Sequence, residues 1–210
     1  MRRDAPYRGG MRLILVRHGD AHAGFHGVIG GRTGCTGLTD LGRQQAEALR
    51  DRMEATGAVR ADALVSSVLP RAIETAQIIG PGLGIELGRQ ECDLCEVHTG
   101  EADGLTWAEY GTRYGGFDMH AEPDRVFAPG GDSWNSFHER VGLTLERLRR
   151  DHAGETVVVV CHAGVIMASL RPVAVISKRS EDTETRLWSM AKAAHPGAFL
   201  YQVSWVTSLT

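Results

Sequence analysis

No apolar stretch of the chain approaches the roughly 20 residues needed to cross a bilayer. Met1-Arg-Arg-Asp-Ala-Pro-Tyr-Arg-Gly-Gly10 also lacks the hydrophobic segment of a secretory signal, so a soluble cytoplasmic protein is the default expectation. Lysine and arginine never form a block, and the formal net charge is −3. Nothing here resembles the basic face that nucleic acid or an anionic membrane would need, and neither is expected as a partner. Basic residues must instead be sought one at a time, inside a pocket. Cysteine is scarce: Cys35, Cys92, Cys95 and Cys161 are too few and too scattered for a disulfide scaffold in 210 residues. Cys92 and Cys95 form a CxxC, which could be half a zinc site or a redox pair. Without a second CxxC or a histidine pair at ligand spacing, the cysteines are read as free thiols, and no metal or cofactor is expected. Internal repeats and low-complexity tracts are absent too.

What is present is an apolar content of 42%, enough for a substantial core in one domain over 11–210, preceded by a loose leader at 1–10. The chain turns on Met11-Arg-Leu-Ile-Leu-Val-Arg-His-Gly19. Leu13 to Val16 are four consecutive apolar residues, which suits a parallel strand covered on both faces, and Arg17 and His18 then lie at its carboxyl end, where open α/β sheets place ligands. A glycine-rich stretch from Asp20 to Leu38, without periodicity, is expected to be a long loop, and long loops in compact domains are commonly functional.

Thr39-Asp40 opens a helix with Leu41, Ala48, Leu49 and Met53 as its buried stripe, stopping near Gly57. Asp62-Ala-Leu-Val-Ser-Ser67 is a second strand. Pro70 begins the next helix, which Gly80-Pro81 should end. Arg71 at that helix amino terminus opposes the dipole unless an anion balances it. A short strand near Ile85 to Leu87 and a helix over Thr106 to Tyr114 follow. Glu91, Asp93, Glu96, Glu101 and Asp103 read individually as a solvated acidic loop.

Ser133 caps a long helix with Trp134, Phe137, Val141, Leu145 and Leu148 on its core face, and Glu155 to Cys161, with four valines, is a further buried strand ending at His162. Arg171 to Lys192 is polar without a firm pattern. Phe199 to Val206 alternates as a late strand; at an edge it could pair with a second subunit, so a homo-oligomer is a candidate assembly. Alternating strands and helices give an α/β class with a mostly parallel sheet.

Arg17, His18, Arg71 and His162 thus gather at one sheet edge. Two forked guanidiniums, two imidazoles and helix N–H groups form a pocket suited to a phosphate dianion. The same residues fall within a longer series: Val16-Arg-His-Gly19; Leu38-Thr-Asp-Leu-Gly42 with Gln45-Ala46; Ser66-Ser-Val-Leu-Pro-Arg-Ala-Ile-Glu-Thr-Ala76; Glu96-Val-His-Thr-Gly100 with Gly104-Leu-Thr106; and Cys161-His-Ala-Gly164. In this order they resemble the histidine phosphatase superfamily, which includes the cofactor-dependent phosphoglycerate mutases.

The resemblance implies a three-layer α/β/α sandwich and a phosphatase acting on a phosphorylated small molecule. His18 would be the nucleophile, its other ring nitrogen donating to a backbone carbonyl that fixes the tautomer. Arg17, Arg71 and His162 would hold phosphoryl oxygens, and Glu96 would protonate the leaving group and then activate water. Thr207-Ser-Leu-Thr210 is similar to the start of the family's last strand motif.

Three departures bear on this. Gly24 stands where an asparagine often touches phosphate, and Arg32 or His22 is the candidate to replace it. Alanine follows His162 where glycine is commoner. No arginine-rich segment of the mutase kind occurs between Glu109 and Arg125, which favours a hydrolase over a phosphomutase; a phosphate-binding protein without turnover is the third alternative. Trp107, Tyr110, Tyr114, Phe117 and His120 are candidate pocket walls.

Overall fold

The computed structural model describes residues 10–116, 118–119, 121–177 and 200–204, with side chains in 171–177 and 200–204 excepted. The expected leader up to residue 9, Phe117, His120, the tract beyond residue 177 up to Lys192 and Thr207-Ser-Leu-Thr210 lie outside the described residues.

Five strands form one sheet in the order β3-β2-β4-β1-β5. β1 (Arg12–Arg17) runs parallel to β4 (Thr156–Cys161), β4 parallel to β2 (Ala63–Ser67), and β2 parallel to β3 (Arg89–Glu91). β5 (Leu200–Ser204) pairs antiparallel with β1 and closes one edge, where the sequence places its late strand.

Leu13 to Val16 pair in register with Val157 to Val160, and all eight are buried. Because strand side chains alternate, Leu13, Leu15, Val157 and Val159 meet α5 (Trp134–Asp151) and α6 (Ala163–Ser177) on one face. Ile14, Val16, Val158 and Val160 meet α2 (Asp40–Thr56) and α3 (Pro70–Leu83) on the other. The result is the expected three-layer sandwich. Among the described residues, no helix is long and apolar enough to cross a membrane.

The neighbouring strands β1 and β4 therefore send their chains to opposite faces. A crevice opens at the carboxyl ends of such a pair, and β1 and β4 end at the two histidines. A third apolar cluster, Ile29, Ala102, Tyr110, Phe127 and Ala128, ties the glycine-rich segment to α4 (Trp107–Tyr114), whose amino end carries a Thr106–Glu109 capping box.

Several local expectations are corrected. The glycine-rich segment is not all loop: α1 (His22–Phe25) makes one turn within it. The buried face of α2 is Gly42, Ala46 and Met53, while Leu41 and Ala48 are exposed. This helix approaches backbone, so small residues face inward. Gly80-Pro81 does not end α3, which continues to Leu83 and stops at Gly84 in the left-handed region. Pro81 keeps a helical φ and removes only one N–H, on an exposed face near the helix end.

The short strand forms at Arg89–Glu91 rather than at Ile85 to Leu87. Helix α6 runs through Arg171 to Ser177, where no pattern was expected. Glu91 is no solvated acid: it is buried and paired with Arg89 at 2.7 Å and with Arg147 at 2.5 Å.

Candidate active site

His18 is the first residue past β1, and its N–H continues the ladder by donating to the Cys161 carbonyl at 3.0 Å. The ring lies between two fixed partners. Nδ1 is 2.6 Å from the Gly19 carbonyl oxygen, and the Arg71 Nε–H donates to Nε2 at 3.1 Å. A carbonyl can only accept and a guanidinium can only donate, so Nδ1 carries the proton and Nε2 holds a lone pair. Burial, followed by the neighbouring Arg71 charge, lowers the imidazole pKa from 6.5 to about 3, against the opposing Gly19 hydrogen bond.

The surrounding motif residues brace this strand exit. A Cβ on Gly19 would stand 2.5 Å from the Gly42 carbonyl oxygen, so two glycines let β1 pass against the first turn of α2. The Gly19 N–H donates to Thr75 Oγ1 at 3.2 Å, and the Asp20 N–H donates to Gln45 Oε1 at 2.8 Å. Thr75 and Gln45, two further residues of the sequence motifs, thus hold the backbone that carries His18.

Arg71 is buried at the amino end of α3, and its Nη1 donates to the Gly30 carbonyl at 2.7 Å. His162 is fully buried; its ring centroid lies 5.1 Å from that of His18. Its Nε2 is 2.9 Å from Ser67 Oγ, and its buried Nδ1 has no protein partner. Burial first, then the Arg71 charge, holds its pKa well below 6.5. The exposed Arg17 stands at the rim. A cleft of about 360 Å³ is lined by Arg17, His18, Asp20, Gly24, Gly30, Gln45, Arg71 and Trp107, among others.

Glu96 does not line this cleft. Its Oε2 accepts the Gly164 N–H at 2.9 Å, two residues beyond His162 at the free amino end of α6. A Cβ on Gly164 would strike that carboxylate and sit 3.1 Å from Phe137, so the glycine of Cys161-His-Ala-Gly164 leaves room for the acid. Arg140, unremarked in the sequence, holds the backbone here: Nη1 donates to the Asp93 and Cys95 carbonyls at 2.9 and 3.2 Å, and Nη2 donates to the Glu96 carbonyl at 3.2 Å and to Asp132 Oδ2 at 2.5 Å.

The two residues expected to compensate for Gly24 are not brought to the cleft. Arg32 is exposed outside it, and His22 stacks on His26 with centroids 6.0 Å apart. The space beside Gly24 is open, with no atom within 4 Å of an added Cβ. Of the described aromatic wall candidates, Trp107 lines the cleft. Tyr110 is packing, donating its hydroxyl to the Phe127 carbonyl at 2.8 Å, and Tyr114 reaches Glu101 at 3.2 Å.

Residues 13–181 match the histidine phosphatase superfamily, branch 1. "Phosphoglycerate mutase-like protein 4" of Arabidopsis thaliana is 34% identical over 158 residues, 73% of this chain and 67% of that protein. A metal-independent phosphoserine phosphatase of the same plant is 32% identical over 160 residues, 74% of this chain and 66% of that protein. The chain thus spans about two thirds of the length of these relatives. A mycobacterial glucosyl-3-phosphoglycerate phosphatase, solved with VO3, superposes with a TM-score of 0.64 at 29% identity, covering 77% of this chain and 81% of that one. By the profile it matches, the chain is a member of the histidine phosphatase superfamily.

Proposed function

We propose that the protein is a phosphatase that hydrolyses a phosphate monoester of a small metabolite through a phosphohistidine on His18. The observation that carries this reading is the fixed tautomer of His18, with the Nε2 lone pair facing Arg71 and the proton held by Gly19. A pocket that only bound phosphate would need the arginines but no unprotonated imidazole.

The dianion enters between Arg17 and Arg71, and the Arg71 Nε–H passes from His18 to a phosphoryl oxygen, releasing the lone pair. His162, neutral in the free protein, takes up a proton from solvent as the dianion enters and donates through Nδ1 to a second oxygen; the amino end of α3 faces a third. Nε2 attacks phosphorus as the ester P–O bond breaks. Glu96, protonated and turned from the Gly164 N–H into the cleft, delivers its proton to the departing alkoxide. As carboxylate it then takes a proton from water, the hydroxide attacks phosphorus, the N–P bond breaks and neutral His18 is restored. Two guanidiniums and an imidazolium supply the positive charge that neutralises the transition state, so the reaction requires no metal at phosphorus.

Relatives named phosphoserine phosphatase and glucosyl-3-phosphoglycerate phosphatase support hydrolysis. Against a mutase, the two arginines between Glu109 and Arg125 are engaged elsewhere: Arg113 pairs with Glu101, and Arg125 pairs with Glu122 and donates to the Tyr114 carbonyl.

Rapid mixing with p-nitrophenyl phosphate and a non-acidic quench should trap an acid-labile phosphoenzyme, absent in His18→Ala, with turnover retained in EDTA. Vanadate binding without a phosphoenzyme would identify a binding protein instead. A metal requirement, or phosphoryl exchange on phosphoglycerate primed by a bisphosphate, would also overturn the proposal.

A further inference from the structure

We propose that Cys92, Cys95 and His98 form a binding site for one thiolate-preferring divalent cation of the zinc class, built into the segment that carries Glu96. The sequence shows a CxxC that lacks a partner pair; the fold supplies the third ligand from three residues further on. Cys92 and Cys95 flank a single 3₁₀ turn, closed by the Cys95 N–H donating to the Cys92 carbonyl at 2.9 Å. Cys92 Sγ lies 4.0 Å from Cys95 Sγ and 3.5 Å from His98 Nε2, and the three atoms are within 4.8 Å of one another.

Tetrahedral zinc, with bonds of about 2.3 Å to sulfur and 2.0–2.1 Å to nitrogen, requires S···S and S···N edges of about 3.8 and 3.6 Å. Two of the three edges already match to within a few tenths of an ångström, and the partly exposed His98 ring can close the third. A disulfide would instead bring the sulfurs to about 2.05 Å and leave His98 without a role.

Nε2 faces the sulfurs, while Nδ1 lies 3.5 Å from Asp132 Oδ2, close enough for that carboxylate to take the Nδ1 proton's hydrogen bond with a small ring rotation when Nε2 binds a metal. Asp132 is itself held by Arg140 and accepts the His98 N–H at 2.9 Å. Because Arg140 also binds the carbonyls of Asp93, Cys95 and Glu96, the ligand loop is organised by the protein before any cation arrives. The partly exposed Cys92 and His98 give access, and water takes the fourth position. Ser67 links the two centres: its hydroxyl reaches Cys95 Sγ at 3.3 Å and His162 Nε2 at 2.9 Å. A cation here would clamp the backbone on both sides of Glu96 without contacting phosphate.

The test is cobalt titration of the full chain, reduced and freed of metal. One equivalent should bind, with the visible bands of tetrahedral Co(II) and a sulfur-to-cobalt charge-transfer band sized for two thiolates; zinc should displace it and vanadate should not. Zinc at a hundredfold excess over its Kd should raise Tm by about 5–10 °C. Cys92→Ser and His98→Gln, neither in the phosphate cleft, should each weaken binding at least tenfold, while Cys35→Ser leaves it unchanged. No charge-transfer band, or a band that survives both ligand substitutions, overturns the proposal; so does reduced protein that takes up no metal and only oxidises to a Cys92–Cys95 disulfide. None of these readouts depends on hydrolysis, so the site can fail while the phosphohistidine reading stands, and the reverse.

Discussion

His18 and His162 each follow a strand, and six register pairs between β1 and β4 fix the backbone that delivers them, whereas Glu96 sits in a segment between two 3₁₀ turns with no strand of its own. The first region is immobilised by burying apolar side chains on both faces of the sheet, each contributing about 1.5–3 kcal/mol. The second is held by hydrogen bonds from two arginines of α5: Arg140 on the carbonyls around Glu96, and Arg147 on Glu91. His18 and His162, the proposed nucleophile and a proposed phosphate ligand, thus stand on the rigid part of the fold, while Glu96, the proposed proton carrier, stands on a part tied by exchangeable polar contacts. Substitutions at four positions test this division of labour.

The largest effect is expected at Arg71. Arg71→Ala should lower kcat/KM by about 10²–10³, the range for removing one donor to developing charge. It should also move the His18 titration upward from about 3, because the cation that disfavours imidazolium is gone while burial remains. Protonation then begins at higher pH, and the acid limb of kcat/KM moves the same way. NMR titration of ¹⁵N-labelled histidine measures this directly; an unmoved His18 would show burial acting alone.

Arg140→Met comes next. It takes the guanidinium from Asp132, which keeps the His98 N–H, and from three backbone carbonyls, so urea unfolding should show a loss of about 3–5 kcal/mol. Activity should fall tens-fold in kcat with KM within about twofold, since phosphate binding rests on the sheet. A matching rise in KM would mean that the two regions are not separable. Gly164→Ala should displace the Glu96 carboxylate and press on the buried Phe137 ring, lowering kcat about tenfold with a smaller loss of stability than Arg140→Met. Smallest is Gly24→Asn, where an amide fits the open space and should lower KM for an aryl phosphate about two- to fivefold, one net hydrogen bond's worth.

The strand-borne half of the site was legible because unbroken apolar runs that stop at Arg17-His18 and at His162 leave few other placements for those residues. The resemblance supplied Glu96. What failed shares a cause: positions whose environment comes from distant chain. Arg140 lies on a helix whose stripe announces only its apolar face, so nothing local shows a guanidinium reaching back to carbonyls some 45 residues earlier. Glu91 pairs locally with Arg89, but its burial comes with Arg147, 56 residues away, which its own neighbourhood does not announce. On α2 hydrophobicity finds Met53 and Leu49 but misreads the first turn, where close approach of the Asp20 backbone selects Gly42 while Leu41 is exposed. His22 and Arg32 are near Gly24 along the chain, but the turn of α1 stacks His22 on His26 and Arg32 is exposed outside the cleft.

The hydrogen bond from Arg71 to His18 has a chemical consequence. A lone pair already engaged by a guanidinium is a poor electrophile trap, so the resting protein is guarded against adventitious acylation and alkylation of its own imidazole. Only a ligand that outcompetes Nε2 for that N–H, as an anionic oxygen does, exposes the nitrogen, and it does so at the moment it is positioned for attack. On the proposed reaction, selectivity for phosphoryl donors would thereby be set in the unliganded state, by a latch whose key is the substrate's own charge.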